Sequence, residues 1–402
     1  MQASKTQSIT PGMTALLAAA AGIIVANLYY AQPLVASISA ALGMPPAAAG
    51  LVVTLTQIGY TLGLLFIVPL GDLLENRRLI VGGLVATGAA LLLAASAQHA
   101  WQFLLAALAI GLGAVVAQVL VPFAAHLAPE ATRGRTVGKV VSGLLLGIML
   151  ARPVASVLAG AGGYHAVFGI AAALVLGLAV LLHFKLPQRR PSSPLRYTAL
   201  IGSLWSLFAT TVVLRRRALY HAGLFGAFSL FWTVVPQALG SAQFGLSQNG
   251  IAVFALVGMA GAVASPIAGR LADAGRTLGA TALALLLGSL SFALPLLAPQ
   301  AKAPALALLS LAAIVLDAAV AANLVLGQRA LFTLGAEVRS RLNGLYFALF
   351  FAGGAFGSAL GGWLYAEYGF GAALVAGMLL PAVALPVWLM EAAGHTAARR
   401  TA

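Results

Sequence analysis

The sequence predicts an all-α membrane protein with twelve transmembrane helices in two pseudo-symmetric six-helix bundles, and three observations carry this prediction. Residues are 61% hydrophobic and only 7% charged, whereas a soluble domain carries roughly a quarter charged residues. Long apolar runs follow one another along the whole chain. An acid followed by arginine occurs in each half, Asp72 with Arg77 and Arg78, then Asp273 with Arg276, and the two aspartates are 201 positions apart in 402. A duplicated bundle of this kind is typical of solute carriers.

Twelve apolar runs are long enough to cross a hydrocarbon layer of about 30 Å. We number them span 1 to span 12 in chain order: 13 to 39, 46 to 70, 79 to 97, 101 to 128, 136 to 160, 164 to 184, 218 to 240, 250 to 270, 277 to 298, 303 to 329, 342 to 365 and 371 to 390. Within them, Gly143 with Gly147 and Gly353 with Gly357 have the four-residue spacing that allows helices to approach closely.

The longest polar break separates the two bundles. We predict an N-terminal bundle over 1–185, a cytoplasmic linker over 186–217 and a C-terminal bundle over 218–402. Within the linker, residues 200 to 213 show helical apolar spacing that fits a helix lying at the membrane interface. A thirteenth span is the alternative, but it would invert the second half and break the charge asymmetry.

The net charge of +14 is an orientation signal in a membrane chain. With the N-terminus in the cytoplasm, the 22 lysines and arginines all fall on the cytoplasmic side except Lys139, Arg152, Lys302 and Arg329. Such an excess fixes orientation. We therefore expect both termini in the cytoplasm, a location in the cell inner membrane, contact with lipid and no nucleic-acid partner.

Several function classes are excluded by what the chain lacks. It has no cysteine, so it cannot form disulfides or thiolate metal sites. The motifs of zinc peptidases, serine hydrolases and P-loop ATPases are also missing. We expect no enzyme activity, no cofactor, no metal and a monomer.

Two ionisable residues lie where hydrocarbon makes charge costly. Asp317 lies deep in span 10, and Arg152 lies near the middle of span 5. A charge at the bilayer centre costs about 2.5 to 3.5 kcal/mol even on lenient scales, so each needs a partner, water or a proton. Asp317 is the candidate proton carrier, and Arg152 is either the cation that tunes it or an anchor for an anionic substrate. Their similar depth in opposite halves suggests that they meet.

Neutral polar and aromatic residues on several spans form the candidate lining of a central substrate cavity. The set comprises Asn27, Tyr30, Gln32, Gln57, Tyr60 and Gln118 in the first half, and Trp232, Gln237, Asn323, Asn343 and Tyr346 in the second. Each one alone is more often an interhelical hydrogen bond than a ligand contact.

The loop after span 2, with Leu70, Gly71 and Asp72, and its repeat after span 8, with Gly269 to Asp273, resemble the signature of the major facilitator superfamily. Glu75 and Asn76 stand where that signature has glycine and arginine. The resemblance implies the major facilitator fold and a gate on the cytoplasmic side. In that gate Asp72 would face Arg341, Asp273 would face Arg135, and Arg77, Arg78 and Arg276 would contribute charge.

The segments 27 to 33 of span 1 and 143 to 147 of span 5 resemble bacterial inner-membrane carriers of the drug:proton antiporter type. The resemblance implies proton-coupled efflux of a small organic compound by alternating access. Two alternatives stay open. One is an importer or facilitator of a sugar, an amino acid or an organic anion, and the other is a membrane sensor or enzyme without transport activity.

Overall fold

The computed structural model describes residues 10–191, 196–297, 301–335 and 338–401, with the backbone alone for 395–401. Within these ranges every regular element is a helix. The first half contains α1 (Pro11–Ala26), α2 (Val35–Ala41), α3 (Leu51–Phe66), α4 (Asn76–Ala95), α5 (Ala100–Ala114), α6 (Val116–Leu127) and α7 (Arg133–Lys185). After α8 (Tyr197–Thr210), the second half contains α9 (Val212–Gly240), α10 (Gln248–Gly258), α11 (Ala264–Asp273), α12 (Thr277–Ser291), α13 (Ala293–Leu296), α14 (Lys302–Phe332), α15 (Arg339–Ala382) and α16 (Leu385–Thr401).

Two of these helices each contain two spans. Helix α7 has 53 residues, which at 1.5 Å per residue would be about 80 Å long, far more than one membrane thickness. It leaves the helical conformation at Gly162 and at Gly163, where φ is 67°. Helix α15 does the same at Gly369, where φ is 82°. Because glycine tolerates positive φ, the chain turns back there, and the twelve predicted spans are confirmed.

Spans 1, 4 and 8 are interrupted near their middles. Span 1 is broken between α1 and α2, where Asn27 donates from its amide to the carbonyls of Ile23 and Ile24 and Pro33 cannot supply a backbone N–H. Span 4 is broken at Val115. Span 8 passes through a 3₁₀ turn over Met259–Val263. These breaks lie in the middle of the membrane layer, where released backbone groups need partners or a cavity.

Glycine contacts make the two halves resemble each other. In the first half, a Cβ added to Gly22 of span 1 would come 2.6 Å from the carbonyl oxygen of Gly143 in span 5. In the second half, a Cβ added to Gly353 of span 11 would come 2.6 Å from the carbonyl oxygen of Ala222 in span 7. Spans 1 and 5 therefore cross as spans 7 and 11 do, because only glycine lets the backbones approach this closely.

The linker contains the predicted helix but not a thirteenth span. Helix α8 has 14 residues, too few to cross a bilayer. It packs with Leu200 and Leu204 inward and exposes Trp205. The ends of spans 2, 4, 6, 8 and 10 lie on the same side as α8. We call this side the basic face, defined by Arg77, Arg133, Arg189 and Arg341.

Candidate functional site

Asp317 and Arg152 meet across the boundary between the halves. The Nη1 atom of Arg152 in span 5 lies 3.8 Å from Oδ2 of Asp317 in span 10, and their side chains are 6% and 14% exposed. The other oxygen, Oδ1, accepts a 3.0 Å hydrogen bond from the indole N–H of Trp232 in span 7. Three spans thus hold one carboxylate, and both of its oxygens have a partner.

Aromatic rings surround the guanidinium group. Its carbon lies 4.0 Å from the ring centre of Trp232, 4.9 Å from that of Phe228 and 6.0 Å from that of Tyr29. Stacking on aromatic faces stabilises a desolvated cation by about 2 kcal/mol or more. Span 8 leaves room for the carboxylate, because a Cβ on Gly258 would come 3.2 Å from Asp317 Oδ2.

A cavity of about 370 Å³ lies between the halves at the basic face. Residues from spans 2, 4, 5, 10 and 11, together with Leu200 and Leu204 of α8, form its walls. Asp72, Arg189 and Arg341 supply the charged groups of its lining, and Gln118 and Asn343 supply neutral polar groups. The two halves are therefore separated on this side.

On the opposite face the halves are in contact. Thr54 of span 2 and Ser358 of span 11 share a 2.8 Å hydrogen bond between their hydroxyl groups. Gln57 donates from Nε2 to the hydroxyl of Ser229 in span 7 at 2.9 Å. A Cβ on Gly50 would come 3.2 Å from the Cα of Gly362. The conformation is open at the basic face and closed at the other.

A layer of aromatic side chains separates the cavity from the charge pair. Gln118 of the cavity wall donates a 2.9 Å hydrogen bond to the hydroxyl of Tyr60. The ring of Tyr60 lies 4.6 Å from that of Phe351, which in turn lies 4.8 Å from Phe225. A solute entering from the basic face would have to displace these rings to reach Arg152 and Asp317.

The contact between Thr54 and Ser358 predicts a specific cross-link. The chain has no cysteine, so the double variant Thr54→Cys with Ser358→Cys would place its only thiols at two oxygens now 2.8 Å apart. We expect oxidation to link spans 2 and 11, to hold the closed side shut and to lower at least tenfold any solute movement that needs this side to open. Reduction should restore that movement. Solute movement that survives complete cross-linking, with the cross-link measured by gel mobility, would contradict this closure.

The predicted cavity lining is only partly brought together. Gln118 and Asn343 line the cavity, whereas Gln57, Tyr60 and Trp232 lie deeper at the boundary between the halves. Gln32 is fully buried, and Tyr30 is half-buried. The other predicted lining residues bond within a single half: Asn27 to its own helix, Gln237 to the carbonyl of Thr233, Asn323 to His221, with Tyr346 stacked on that imidazole.

The expectation that Asn323 and Tyr346 face the central cavity was wrong for this conformation. Both are about 1% exposed or less, and they surround His221 inside the second bundle with Phe350. The sequence shows that they are polar within an apolar span. It does not show which side of the helix faces the other half.

The gate residues are not paired across the halves in this conformation. Asp72 and Arg341 both line the cavity, and no ion pair joins them in the described ranges. Asp273 forms an ion pair with Arg329 of its own half, and its predicted partner Arg135 is exposed, as is Arg276. The reason is geometric, because the halves stand apart on this face.

Arg77 and Arg78, also assigned to the gate, act inside the first half. Arg77 lies 3.4 Å from the carbonyl of His183 and 3.5 Å from that of Leu186, at the end of span 6. Arg78 forms a 3.7 Å ion pair with Glu75. In this conformation the contacts of both residues lie within the first half, and their contribution of charge to the gate stays a prediction.

Glu75 and Asn76, which depart from the family signature, fasten the linker to the first half. The carboxylate of Glu75 accepts from the backbone N–H groups of Arg77 and Arg78, which caps α4. Asn76 accepts a 2.7 Å hydrogen bond from Arg189, and its own N–H donates to the Arg189 carbonyl. The sequence signal for this contact is an acid followed by asparagine at the start of a helix.

A second buried ion pair was missed. Arg217 at the start of span 7 lies 2.9 Å from Glu391 at the end of span 12, with side chains 7% and 8% exposed. Tyr220 donates a 2.7 Å hydrogen bond to the same carboxylate, and Arg217 donates to Thr281. Asp317 is therefore not the only buried acid of the membrane domain. Both residues fell just outside the predicted spans, and that boundary error hid them.

Two similar helical halves, a cavity between them that reaches one face, and a charge pair across the same boundary define the architecture of a secondary transporter. Among the described residues, no group of three or more histidine, aspartate or glutamate side chains is placed to hold a metal ion. The sequence profile of the Major Facilitator Superfamily matches residues 15–330. This chain belongs to that superfamily.

Relatives in three bacteria are named as transporters. The chain is 38% identical over 380 residues to an uncharacterized transporter, YgaY, of Escherichia coli O157:H7, which covers 94% of this chain and 95% of the relative. It is 36% identical over 262 residues to the probable transporter SCO4007 of Streptomyces coelicolor, covering 64% of this chain and 60% of the relative. A Bacillus subtilis relative, an uncharacterized transporter of the same superfamily, is 28% identical over 182 residues.

Solved structures share the fold at low sequence identity. A bacterial homologue of the human lysosomal transporter Spinster, in an inward-facing and unoccupied conformation, gives a TM-score of 0.70 at 15% identity, covering 95% of this chain and 97% of that one. The nucleoside transporter NupG gives 0.71 at 16% identity, covering 94% and 99%. The likeness extends over both halves.

Proposed function

We propose that this protein is a proton-coupled exporter that exchanges a small organic compound for protons by alternating access. The observation that carries the proposal is the pair of Arg152 and Asp317 across the two halves, 3.8 Å apart and removed from solvent. The carboxylate of Asp317 is attracted to the guanidinium group of Arg152 only while the carboxylate is ionised. Its charge state therefore affects contacts between the halves.

In the proposed cycle, Asp317 binds the proton and Arg152 remains charged, because a guanidinium group does not deprotonate in proteins. A proton on Asp317 removes the attraction to Arg152 and leaves the cation to the rings of Trp232, Phe228 and Tyr29. Arg152 then loses the partner that fixes its orientation. The protonated and ionised forms thus present different surfaces to a solute.

Exchange follows if the compound binds the form in which Asp317 is ionised and Arg152 is oriented. A proton then weakens binding of the compound, and by linkage the compound weakens binding of the proton by the same factor. A coupling of about 1.4 kcal/mol corresponds to a tenfold effect. The proton gradient would drive release on one side of the membrane.

We further propose that the basic face is cytoplasmic, that the membrane is the bacterial inner membrane and that the protein acts as a monomer. The excess of lysine and arginine on this face supports the orientation. Asp72 with Arg341, and Asp273 with Arg135, would come together only when the cavity closes, so Arg329 would release Asp273 in that step.

Purified protein in liposomes that contain a pH-sensitive dye tests the proposal. With an outward proton gradient imposed, dyes, antibiotics, sugars and amino acids are added one at a time. For an exchanger we expect proton movement opposite to the compound, together with gradient-driven accumulation. Proton movement in the same direction as the compound would show cotransport instead of exchange. Transport of a compound without proton movement would show that transport is not coupled to protons.

A further inference from the structure

The aromatic layer between the cavity and the charge pair is a connected set of rings, with Phe225 of span 7 at its centre. The ring centre of Phe225 lies 4.8 Å from that of Phe351 and 4.9 Å from that of Phe350, both in span 11. Phe351 lies 4.6 Å from Tyr60 of span 2, so the layer joins the two halves. Phe228 stacks on Phe225 at 5.3 Å. Each of these rings is at most 5% exposed, so a solute meets packed rings at this point and not an open channel.

The aromatic layer also contacts the charge pair. Phe228 lies within 16° of parallel to Phe225, and the guanidinium carbon of Arg152 lies 4.9 Å from the ring centre of Phe228. Arg152 is in turn 3.8 Å from Asp317. Each member of this series contacts the next, from the carboxylate to the centre of the layer. Because a close-packed interior transmits displacements, a change at Asp317 alters what supports Phe225.

We propose that Phe225 and the rings around it form an inner gate between the cavity and the charge pair, and that Arg152 keeps this gate closed through Phe228 while Asp317 is ionised. The cation holds the Phe228 ring, and that ring holds its stacked neighbour. A proton on Asp317 frees the guanidinium group, so the stack loosens. The compound then enters and the proton leaves. This inference rests on the proposed function and assigns one of its steps to Phe225 as a positioning residue.

Within the described ranges, Arg152 is the charged group that faces Asp317. Span 7 presents the indole N–H of Trp232 to the carboxylate. Span 8 presents Gly258 and Gly261, which carry no side chain. A proton on Asp317 therefore acts first on Arg152, and through it on the layer.

His221 is a second titratable group beside the aromatic layer. Its ring lies 6.2 Å from that of Phe225, and one ring nitrogen is hydrogen-bonded to Asn323 in span 10. It also lies 4.5 Å from Phe350, on the layer. These contacts stay within the second half. Replacement of His221 therefore separates an effect of this imidazole from an effect of the charge pair.

The reaction of a single thiol behind the inner gate tests the inference. The chain has no cysteine, and Ser229→Cys places one a helical turn beyond Phe225, where Ser229 now accepts from Gln57. The purified full-length protein in detergent is treated at pH 8 with a small water-soluble methanethiosulfonate, and the rate of modification is followed by mass. We expect Phe225→Ala and Asp317→Asn each to raise this rate at least tenfold. Phe228→Leu should also raise it and remove any further effect of Asp317→Asn.

Three controls separate the inner gate from other movements. The reporter Thr54→Cys lies on the closed face, and its rate should stay within twofold in the same variants, because the halves need not rock. His221→Gln should leave the rate at Ser229→Cys within twofold. Phe225→Leu removes the ring but keeps an apolar side chain, and it should raise the rate even if Phe225→Ala lowers the melting temperature.

Three results would overturn the inference. A rate at Ser229→Cys unchanged by both Phe225 variants would mean that the ring is not a barrier. A rate raised by those variants but not by Asp317→Asn would remove the link to the charge pair. An equal rise at Thr54→Cys would assign the effect to rocking of the halves. Because the labelling needs neither a compound nor a gradient, each of these results leaves proton coupling to be decided separately in liposomes.

Discussion

Asp317→Asn should abolish gradient-driven accumulation while leaving the carrier folded and able to exchange compound for compound, at compound concentrations high enough to offset the weaker binding expected with a neutral residue beside Arg152. Asparagine keeps the shape and can still accept the indole N–H of Trp232, but it cannot carry the proton or balance Arg152. For one-for-one exchange, one pH unit supports about tenfold accumulation, or about 1.4 kcal/mol. We expect this ratio to fall to about one in the variant, measured in liposomes with the compound that the wild type transports.

The matched control is Glu367→Gln, which neutralises an exposed acid in the same half. It should accumulate compound as the wild type does. Counterflow of labelled compound, with no pH gradient, shows whether Asp317→Asn still cycles. Full accumulation by Asp317→Asn would take Asp317 out of the coupling step, and loss of counterflow as well would assign the residue to folding or binding alone.

The charge pair shows how far the sequence alone could lead. Arg152 and Asp317 each stand out because a charge within an apolar run is energetically costly. A residue that carries this cost is expected to have a functional or structural role. Their encounter across the halves agrees with the similar depth of the two residues in spans 5 and 10. Depth can be read from a span, because a helix advances a fixed 1.5 Å per residue. The direction in which a side chain faces depends on how the helices pack. The sequence of a single span does not contain this information.

The predictions for Asn323 and Tyr346 failed because the sequence does not show the direction in which a side chain faces. Asn323 and Tyr346 have the right depth and composition for a cavity, but they face His221 inside one bundle. The breaks in spans 4 and 8 were also missed, because their residues are as apolar as regular helix, and the break in span 1 was missed although it contains Asn27 and Pro33. The missing pairing of Asp273 with Arg135 has a different cause. This pairing forms only when the basic face is closed. The same sequence adopts every conformation of the cycle, so the sequence does not indicate which conformation is observed.

Arg217→Met should destabilise the second bundle more than any other single change considered for it. The substitution leaves the carboxylate of Glu391 buried, 8% exposed, with Tyr220 as its remaining side-chain donor. Removing one partner of a buried ion pair typically costs about 3–5 kcal/mol, because the other charge stays unpaired away from water. We expect a fall of several degrees in the melting temperature of the detergent-solubilised protein.

The double variant Arg217→Met with Glu391→Leu separates the cost of an unpaired charge from the contribution of the pair. Apolar residues of similar volume often replace a buried pair with little loss, so the double variant should recover most of the lost stability. Arg216→Met, at the neighbouring half-buried arginine, should change the melting temperature little. If the double variant is as unstable as Arg217→Met, the hydrogen bonds to Thr281 and Tyr220 hold spans 7, 9 and 12 together, and the charges themselves do not. A stable Arg217→Met variant would instead show that water reaches Glu391 at the basic face.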